Sequence, residues 1–313
     1  MDAAALDAAR ISLAPGGDVI LPLAMAVIML SVALTLKLES FAFLKTAPLR
    51  FLGAASVQII GLPLLTLIVI HAITPPASIA LGMIVVACCP GGNVSNFYTL
   101  MARGDAALSV ALTSVSSLSA ALLTPVSIVV WTSLYAPSAA LVDEINLSAL
   151  TFIVSMTLIL ALPLAAGMVF ARYFPNSARA MRPWLVWTAI AALAMMAGGG
   201  VAANGDLILG AGLTVVAIAI GHNALALMLG AVSGRVLGFD ARGRRALTFE
   251  VGIQNAGLGL VILLGQFQGI GGAAAITGAW AVWHLISGGA LAGWFRFLDR
   301  RRRARTNALT NAE

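Results

Sequence analysis

"ACCPGGNVSNFYTL", residues 87–100, interrupts a run of sequence that otherwise reads as lipid-buried helix. A Pro, two glycines, two asparagines and a Ser fall between positions 90 and 96. Pro lacks a backbone amide, and Gly is costly inside a helix, so the ladder must open there. In hydrocarbon, open backbone is tolerated only where protein buries it or where it lines a wet cavity. The stretch therefore predicts a broken membrane helix with a polar interior.

The surrounding composition supports a membrane setting. The chain has 313 residues, of which 60% are hydrophobic and 10% charged. Soluble domains carry about 25% charged residues. With a mean hydropathy of +1.00, the sequence reads as an all-α polytopic membrane protein. Cys88 and Cys89 are adjacent. They make a poor disulfide and say nothing of redox compartment. The N-terminal "MDAAALDAARISLAPGGD" lacks the basic and apolar regions of a secretory signal. It is read as a short tail or interfacial helix.

A span needs roughly 20 apolar residues. Loop chemistry then divides the chain into about nine transmembrane helices, near 19–36, 49–70, 79–101, 106–131, 147–170, 184–203, 207–232, 246–264 and 272–295. With the C-terminus placed inside, 17 of the 18 basic residues fall in inner loops or the tail. Only Arg10 falls outside. This positive-inside bias predicts an outer N-terminus and a cytoplasmic C-terminus in a plasma (bacterial inner) membrane. It also assigns the net charge of +6 to topology, so no nucleic-acid partner is implied. The expected division is a tail at 1–17, a four-helix first repeat at 18–133, a five-helix second repeat at 146–297, and a basic tail at 298–313.

Glu250, in "LTFEVGIQNAGLGLVILL", is an ionisable group at membrane depth. A mid-membrane charge costs about 2.5–3.5 kcal/mol on insertion scales and marks an ion path by default. The alternative places Glu250 at the inner interface, five residues from Arg245. The following Gln254 and Asn255 weigh against that. The third and eighth spans thus share one oddity, a polar, Gly-containing interruption. One runs inward and the other outward, each followed by one more helix. Paired interruptions in halves of inverted topology point to a transporter site. Half-helix N-termini and unwound carbonyls there suit anions and hard cations. The candidate sodium ligands are Ser95, Asn96, Glu250 and Gln254, with Ser109 and Thr113 one helical turn apart and Gln58 a lone amide on the second span. Ser and Thr are also common at membrane helix interfaces.

These residues resemble the bile acid:sodium symporter family. The resemblance rests on "CCPGGNVSNFYTLMARGDAALSVALTSVS" (88–116), "LGFDARGRRALTFEVGIQNAGLG" (237–259) and "AVWHLISGG" (281–289). It implies inverted repeats with two broken crossing helices, arranged as panel plus core domains, here in a nine-helix form. It implies one sodium site from Ser95, Asn96, Ser109, Thr113 and Glu250. A second would use Gln58, Glu250, Gln254 and the carbonyls of Val251 and Ile253. Asn255 and His284 match substrate positions. Asn93 stands where bacterial members carry a small hydroxyl, and Leu285 where an amide is expected, so the substrate wall departs from the pattern. His284 has the alternative of a structural hydrogen bond, and His222 is read as structural. Trp280, Trp283 and Trp294 are read as packing and an interfacial belt.

The expected activity is sodium-coupled symport of an organic anion, bile-acid-like or a small carboxylate, by alternating access. The coupling ion is Na+, the other partners are substrate and lipid bilayer, and no protein partner is implied. Rival readings are a metalloid carrier using Cys88 and Cys89, a proton-coupled carboxylate carrier, and a channel or sensor. No nucleophile–base pair points to an enzyme.

Overall fold

The computed structural model describes residues 3–11, 17–34, 47–145, 147–185, 187–188, 191 and 205–310. Every regular element among them is helical, joined by two isolated β-bridges, Arg10–Ile270 and Gly91–Gln254. In order they are α1 (Ala3–Ala8), α2 (Gly17–Ala33), α3 (Pro48–Ile73), α4 (Ala77–Cys88), α5 (Asn93–Met101), α6 (Ala106–Ser133), α7 (Ala136–Glu144), α8 (Ala149–Tyr173) and α9 (175–185). Then come α10 (Gly205–Val236), α11 (Ala241–Gly252), α12 (Ala256–Gln266) and α13 (Gly271–Thr310).

The chain is an all-α polytopic membrane protein. Among the described residues, five helical segments are each long and apolar enough to cross a bilayer: Pro48–Ile73, Ala106–Ser133, Ala149–Tyr173, Gly212–Val236 and Gly271–Arg301. The expected spans at 79–101 and 246–264 are both divided, into α4 with α5 and α11 with α12. The expected span at 184–203 lies largely outside the described residues.

Several boundaries differ from expectation. The connection at 171–183 is helical apart from Phe174, which separates α8 from α9. The connection after α6 holds α7, with Pro137 in its first turn. The last helix runs on to Thr310, through the arginines read as a tail. The first residues also join the fold. The Asp7 carboxylate accepts from the Ser78 amide at 2.8 Å, capping α4, and Gly271 N donates to Ala9 O at 2.8 Å.

Local chemistry explains the element ends. Asp105, Asp240 and Asn255 each accept a backbone amide at a helix start, on α6, α11 and α12. Thr74 ends α3 in the left-handed region, just before Pro75 and Pro76. Within α3, residues Val57–Gly61 form a π-turn. Pro63 follows it, and a Pro cannot donate to the carbonyl four residues back.

The half-helices α4 and α12 form the interior. Residues Ser78–Cys88 are all buried, as is most of Ala256–Leu264. A helix apolar on every side fits only such a position. Around them α10 packs closely on α11 through Gly230 and Gly234. A Cβ on Gly230 would meet the Leu247 carbonyl and lie 2.8 Å from Thr248 Cα, and one on Gly234 would lie 3.1 Å from Arg244 Cα. This is the small-residue spacing that lets membrane helices approach. Helix α2 pairs with α8, where Gly167 faces Ala33 and Leu30.

Gly230→Ala should therefore destabilise the purified protein by about 1–3 kcal/mol, the usual cost of overpacking. Gly221→Ala, with no atom within 4 Å of the new Cβ, should change stability by less than about 0.5 kcal/mol. Thermal unfolding in detergent measures both. Equal shifts for the two variants would contradict this packing.

Candidate functional site

The two broken helices cross at their breaks. Asn255 N donates to Pro90 O at 2.9 Å, and Gly92 N donates to Ile253 O at 3.3 Å. The unwound segments thus satisfy each other in antiparallel register. Other helices supply the remaining partners. Gly91 N donates to Ser116 Oγ at 3.3 Å, and Thr124 Oγ1 donates to Cys88 O at 2.9 Å. Asn223 Nδ2 on α10 donates to Gly252 O at 2.7 Å, while its Oδ1 accepts from Ser287 on α13 at 2.6 Å. Buried backbone groups left open by a break need such partners.

The break glycines serve space rather than handedness. Cys89 and Gly92 both have extended backbone with negative φ. A Cβ on Gly91, however, would collide with Glu250 Oε1 and lie 2.8 Å from Gln58 Nε2.

Glu250 is fully buried on the last turns of α11. Its Oε2 accepts from Ser95 Oγ at 2.8 Å, Thr113 Oγ1 at 3.0 Å and Ser109 Oγ at 3.3 Å. Its Oε1 lies 2.8 Å from Thr113 Oγ1. Thr113 also lies 3.2 Å from Asn96 Oδ1, and Ser95 lies 2.8 Å from Gly92 O. Each hydroxyl carries one proton. Ser95 and Thr113 therefore face more acceptors than they can serve. The site is rich in oxygen and poor in hydrogen. Among the described residues, the ion pair is Arg245–Asp299, and no basic side chain pairs with Glu250.

A second group lies beside it. Gln58, in the π-turn of α3, is buried with neither amide atom hydrogen-bonded. Gln254 Nε2 donates to the carbonyls of Val251 (2.9 Å) and Glu250 (3.2 Å), but its buried Oε1 has no partner. The Val251 and Ile253 carbonyls each accept one hydrogen bond here, and a carbonyl has a second lone pair. Orphaned buried amide oxygens and half-used carbonyls are a donor set that fits a hard cation.

The three substrate candidates are more dispersed. Asn93 and Asn255 are half-buried at the N-termini of α5 and α12. Asn255 Oδ1 caps Leu258 N at 3.1 Å, which leaves its NH2 group for another partner. His284 is buried, stacked on Trp280 with centroids 5.0 Å apart, and its Nδ1 bonds Trp280 O at 2.8 Å. A carbonyl can only accept, so Nδ1 donates, and in the neutral ring Nε2 is then an acceptor. His222 bonds Thr66 Oγ1 at 2.8 Å across helices. Of the tryptophans read as packing and belt, Trp280 is a packing residue of the core, at 1% exposure. Cys88 and Cys89 are buried and unpaired, and no cluster of three His, Cys, Asp or Glu occurs among the described residues.

Sequence reasoning passed over Thr99, Ser116, Thr124 and Asn223. Thr99 is buried and donates to Ser109 Oγ at 3.3 Å. Its spacing of four from Ser95 was a readable signal. Asn223 had none, since its partners sit 29 and 64 residues away.

Discontinuous helices that cross around buried oxygens are a feature of membrane proteins of the secondary-transporter type. The sequence comparisons carry this further. Residues 22–211 match the model of the sodium bile acid symporter family. The chain is 29% identical to the uncharacterized sodium-dependent transporter YocS of Bacillus subtilis, over 87% of this chain and 81% of that one. It is 32% identical to the probable chloroplastic sodium/metabolite cotransporter BASS1 of rice, over 86% of this chain and 64% of the plant protein. Rat sodium/bile acid cotransporter 4 matches at 32% identity over 51% of this chain and 36% of its own length. The chain belongs to the sodium bile acid symporter family. It spans less than two thirds of the rice protein.

Asn223→Ala should leave the Gly252 carbonyl and the Ser287 hydroxyl unpaired, at a cost of about 1–3 kcal/mol. Hydrogen exchange should then rise at residues 250–256 before it rises in α8. Unchanged protection there would show that Asn223 does not hold the break.

Proposed function

We propose that this protein is a secondary active transporter that couples sodium entry to symport of an organic anion. The single observation that carries the reading is the crowding of protein oxygens around Glu250 without protons or cations to match. A sodium ion among Ser95, Asn96, Ser109, Thr113 and Glu250 would replace shared hydroxyl protons with a positive charge. It would release each hydroxyl to donate elsewhere, as Ser95 can to Gly92 O. A second ion would take Gln58, Gln254, Glu250 and the Val251 and Ile253 carbonyls. Glu250 would then offset part of two positive charges. Relatives named sodium-dependent or sodium/metabolite cotransporters support sodium as the coupling ion.

Coupling follows from the crossing. Sodium behind the crossover orders the same backbone whose amides open α5 and α12. Those two N-termini carry Asn93 and Asn255, and their dipoles favour a carboxylate or sulfonate. Ordering by the ion raises anion affinity, and by linkage the anion raises sodium affinity equally. Neutral His284 offers an acceptor at Nε2, so it suits a substrate hydroxyl better than a carboxylate. The reading therefore favours a hydroxylated organic anion. Inverted repeats, with a core of α3–α6 and α10–α13 rocking against a panel that includes α2 and α8, would give alternating access. The N-terminus would lie outside and the C-terminus in the cytoplasm of the plasma (bacterial inner) membrane. Transport of this kind needs no bond chemistry, and the protein is read as no enzyme. The buried, unclustered thiols give the metalloid reading no support.

Sodium should stabilise purified protein against heat relative to choline at equal ionic strength. Glu250→Ala should abolish the shift, and Gln254→Ala should weaken it. Uptake of organic anions into proteoliposomes should require an inward sodium gradient. Equal stability in the two salts would sink the sodium reading. A response to pH alone would replace it with proton coupling through Glu250.

A further inference from the structure

Away from the crossing, the last turns of α10, the first turns of α11 and the stretch of α13 around Phe295 and Leu298 leave a cavity of about 500 Å3. Its walls include Val232, Val236, Phe295 and Leu298, and its charged members are Arg235, Arg244 and Arg245. The three arginines are not equivalent. Arg245 is spent: its guanidinium bonds both carboxylate oxygens of Asp299, at 2.6 and 2.8 Å, and Ala102 O at 2.6 Å, and it sits 4.9 Å over the Phe295 ring. Arg235 and Arg244 have no acidic partner among the described residues. The cavity thus keeps two uncompensated positive charges against an otherwise apolar wall.

Its place in the membrane narrows the occupant. The apolar span Gly212–Val236 ends at the cavity, and Val232 and Val236 are 55% and 79% exposed on the protein's outer surface. The cavity therefore opens sideways, toward lipid, at the level where a span meets headgroups. Close contact of Gly234 with Arg244 holds the arginine-bearing ends of α10 and α11 together. Water alone is a poor filling for so apolar a space. A soluble anion would satisfy the arginines and leave the wall bare. A molecule with one anionic head and an acyl chain satisfies both. Basic pockets between helices at this level are the usual seats of anionic lipid headgroups.

We propose that this cavity binds one anionic phospholipid, its phosphodiester between Arg235 and Arg244 and an acyl chain along Val232, Val236 and Leu298. Planar guanidinium groups suit a phosphate's paired oxygens. The lipid would brace α10 and α13 against α11, the helix that carries Glu250, without touching the oxygen cluster. The site does not depend on sodium coupling.

The probe is phosphatidylglycerol added to the full-length protein in detergent, read by native mass spectrometry and thermal unfolding. One bound phosphatidylglycerol should survive into the gas phase and raise the melting temperature. Phosphatidylcholine and inorganic phosphate should do neither. R235Q/R244Q should weaken lipid retention roughly tenfold or more. R242Q/R300Q, which removes two exposed charges outside the cavity, should not. Val232→Trp fills the groove and leaves both arginines, so it tests the acyl contact should the double variant fail to fold. It too should lose the lipid. Retention by R235Q/R244Q or by Val232→Trp at the wild-type level would overturn the proposal, as would equal loss in R242Q/R300Q. A full shift with inorganic phosphate would overturn it in favour of a soluble anion.

Discussion

A carboxylate with no exposed surface normally stands against an arginine or lysine. Glu250 stands against three hydroxyls instead. A buried, unpaired charge is costly, and hydroxyl protons offset it incompletely here because Ser95 and Thr113 are shared among several oxygens. The rest of the structure is arranged to hold this group in place. Helix α11 must end just beyond it, α5 must begin just beside it, and α6 must face it with Ser109 and Thr113. A buried carboxylate with no basic side chain paired to it among the described residues is the ground on which we propose a cation that comes and goes.

The crossing is what makes the demand local. Two half-helices meet tip to tip, and their open backbone closes on itself through Pro90 O and Ile253 O. The closure is bought with close approach. Gly91 has room for hydrogen alone against Glu250 and Gln58. Asn223, Ser116 and Thr124 then reach in from continuous helices to hold the carbonyls and amides that remain. Helices thus surround a segment whose order depends on few bonds, and on that physical basis we propose that ion and substrate are coupled there.

Much of this was legible in the sequence. Pro90, Gly91 and Gly92 within an apolar run marked one break, and Glu250 with Gln254 marked the other. The spacing of Ser109 and Thr113 placed both on one face of α6, and the structure turns both to Glu250. What escaped reading depended on distant partners or on length. Asn223 looks like any amide on α10 until Gly252 and Ser287 arrive from other helices. The π-turn at Gln58 lies just ahead of Pro63, whose ring nitrogen has no hydrogen to donate, and periodicity does not report it. Charge and Pro punctuate residues 171–183 and 136–144 as connections do, yet Pro in a first turn is compatible with helix. The arginines after residue 295 have the composition of a tail, but nothing in them breaks a helix, and α13 runs through them. Trp280, Trp283 and Trp294 suit packing or a belt equally by residue type, and only the contacts with His222 and His284 place Trp280 in the core.

Direct counting of bound sodium tests the central claim most plainly. Radioactive sodium binding to purified protein, measured by scintillation proximity at saturation, should give two ions per chain in the wild type. Glu250→Ala should bind none. Gln58→Leu with Gln254→Leu should keep one ion, while Thr113→Val should lose at least one. No saturable binding in the wild type, or wild-type binding in Glu250→Ala, would contradict the account.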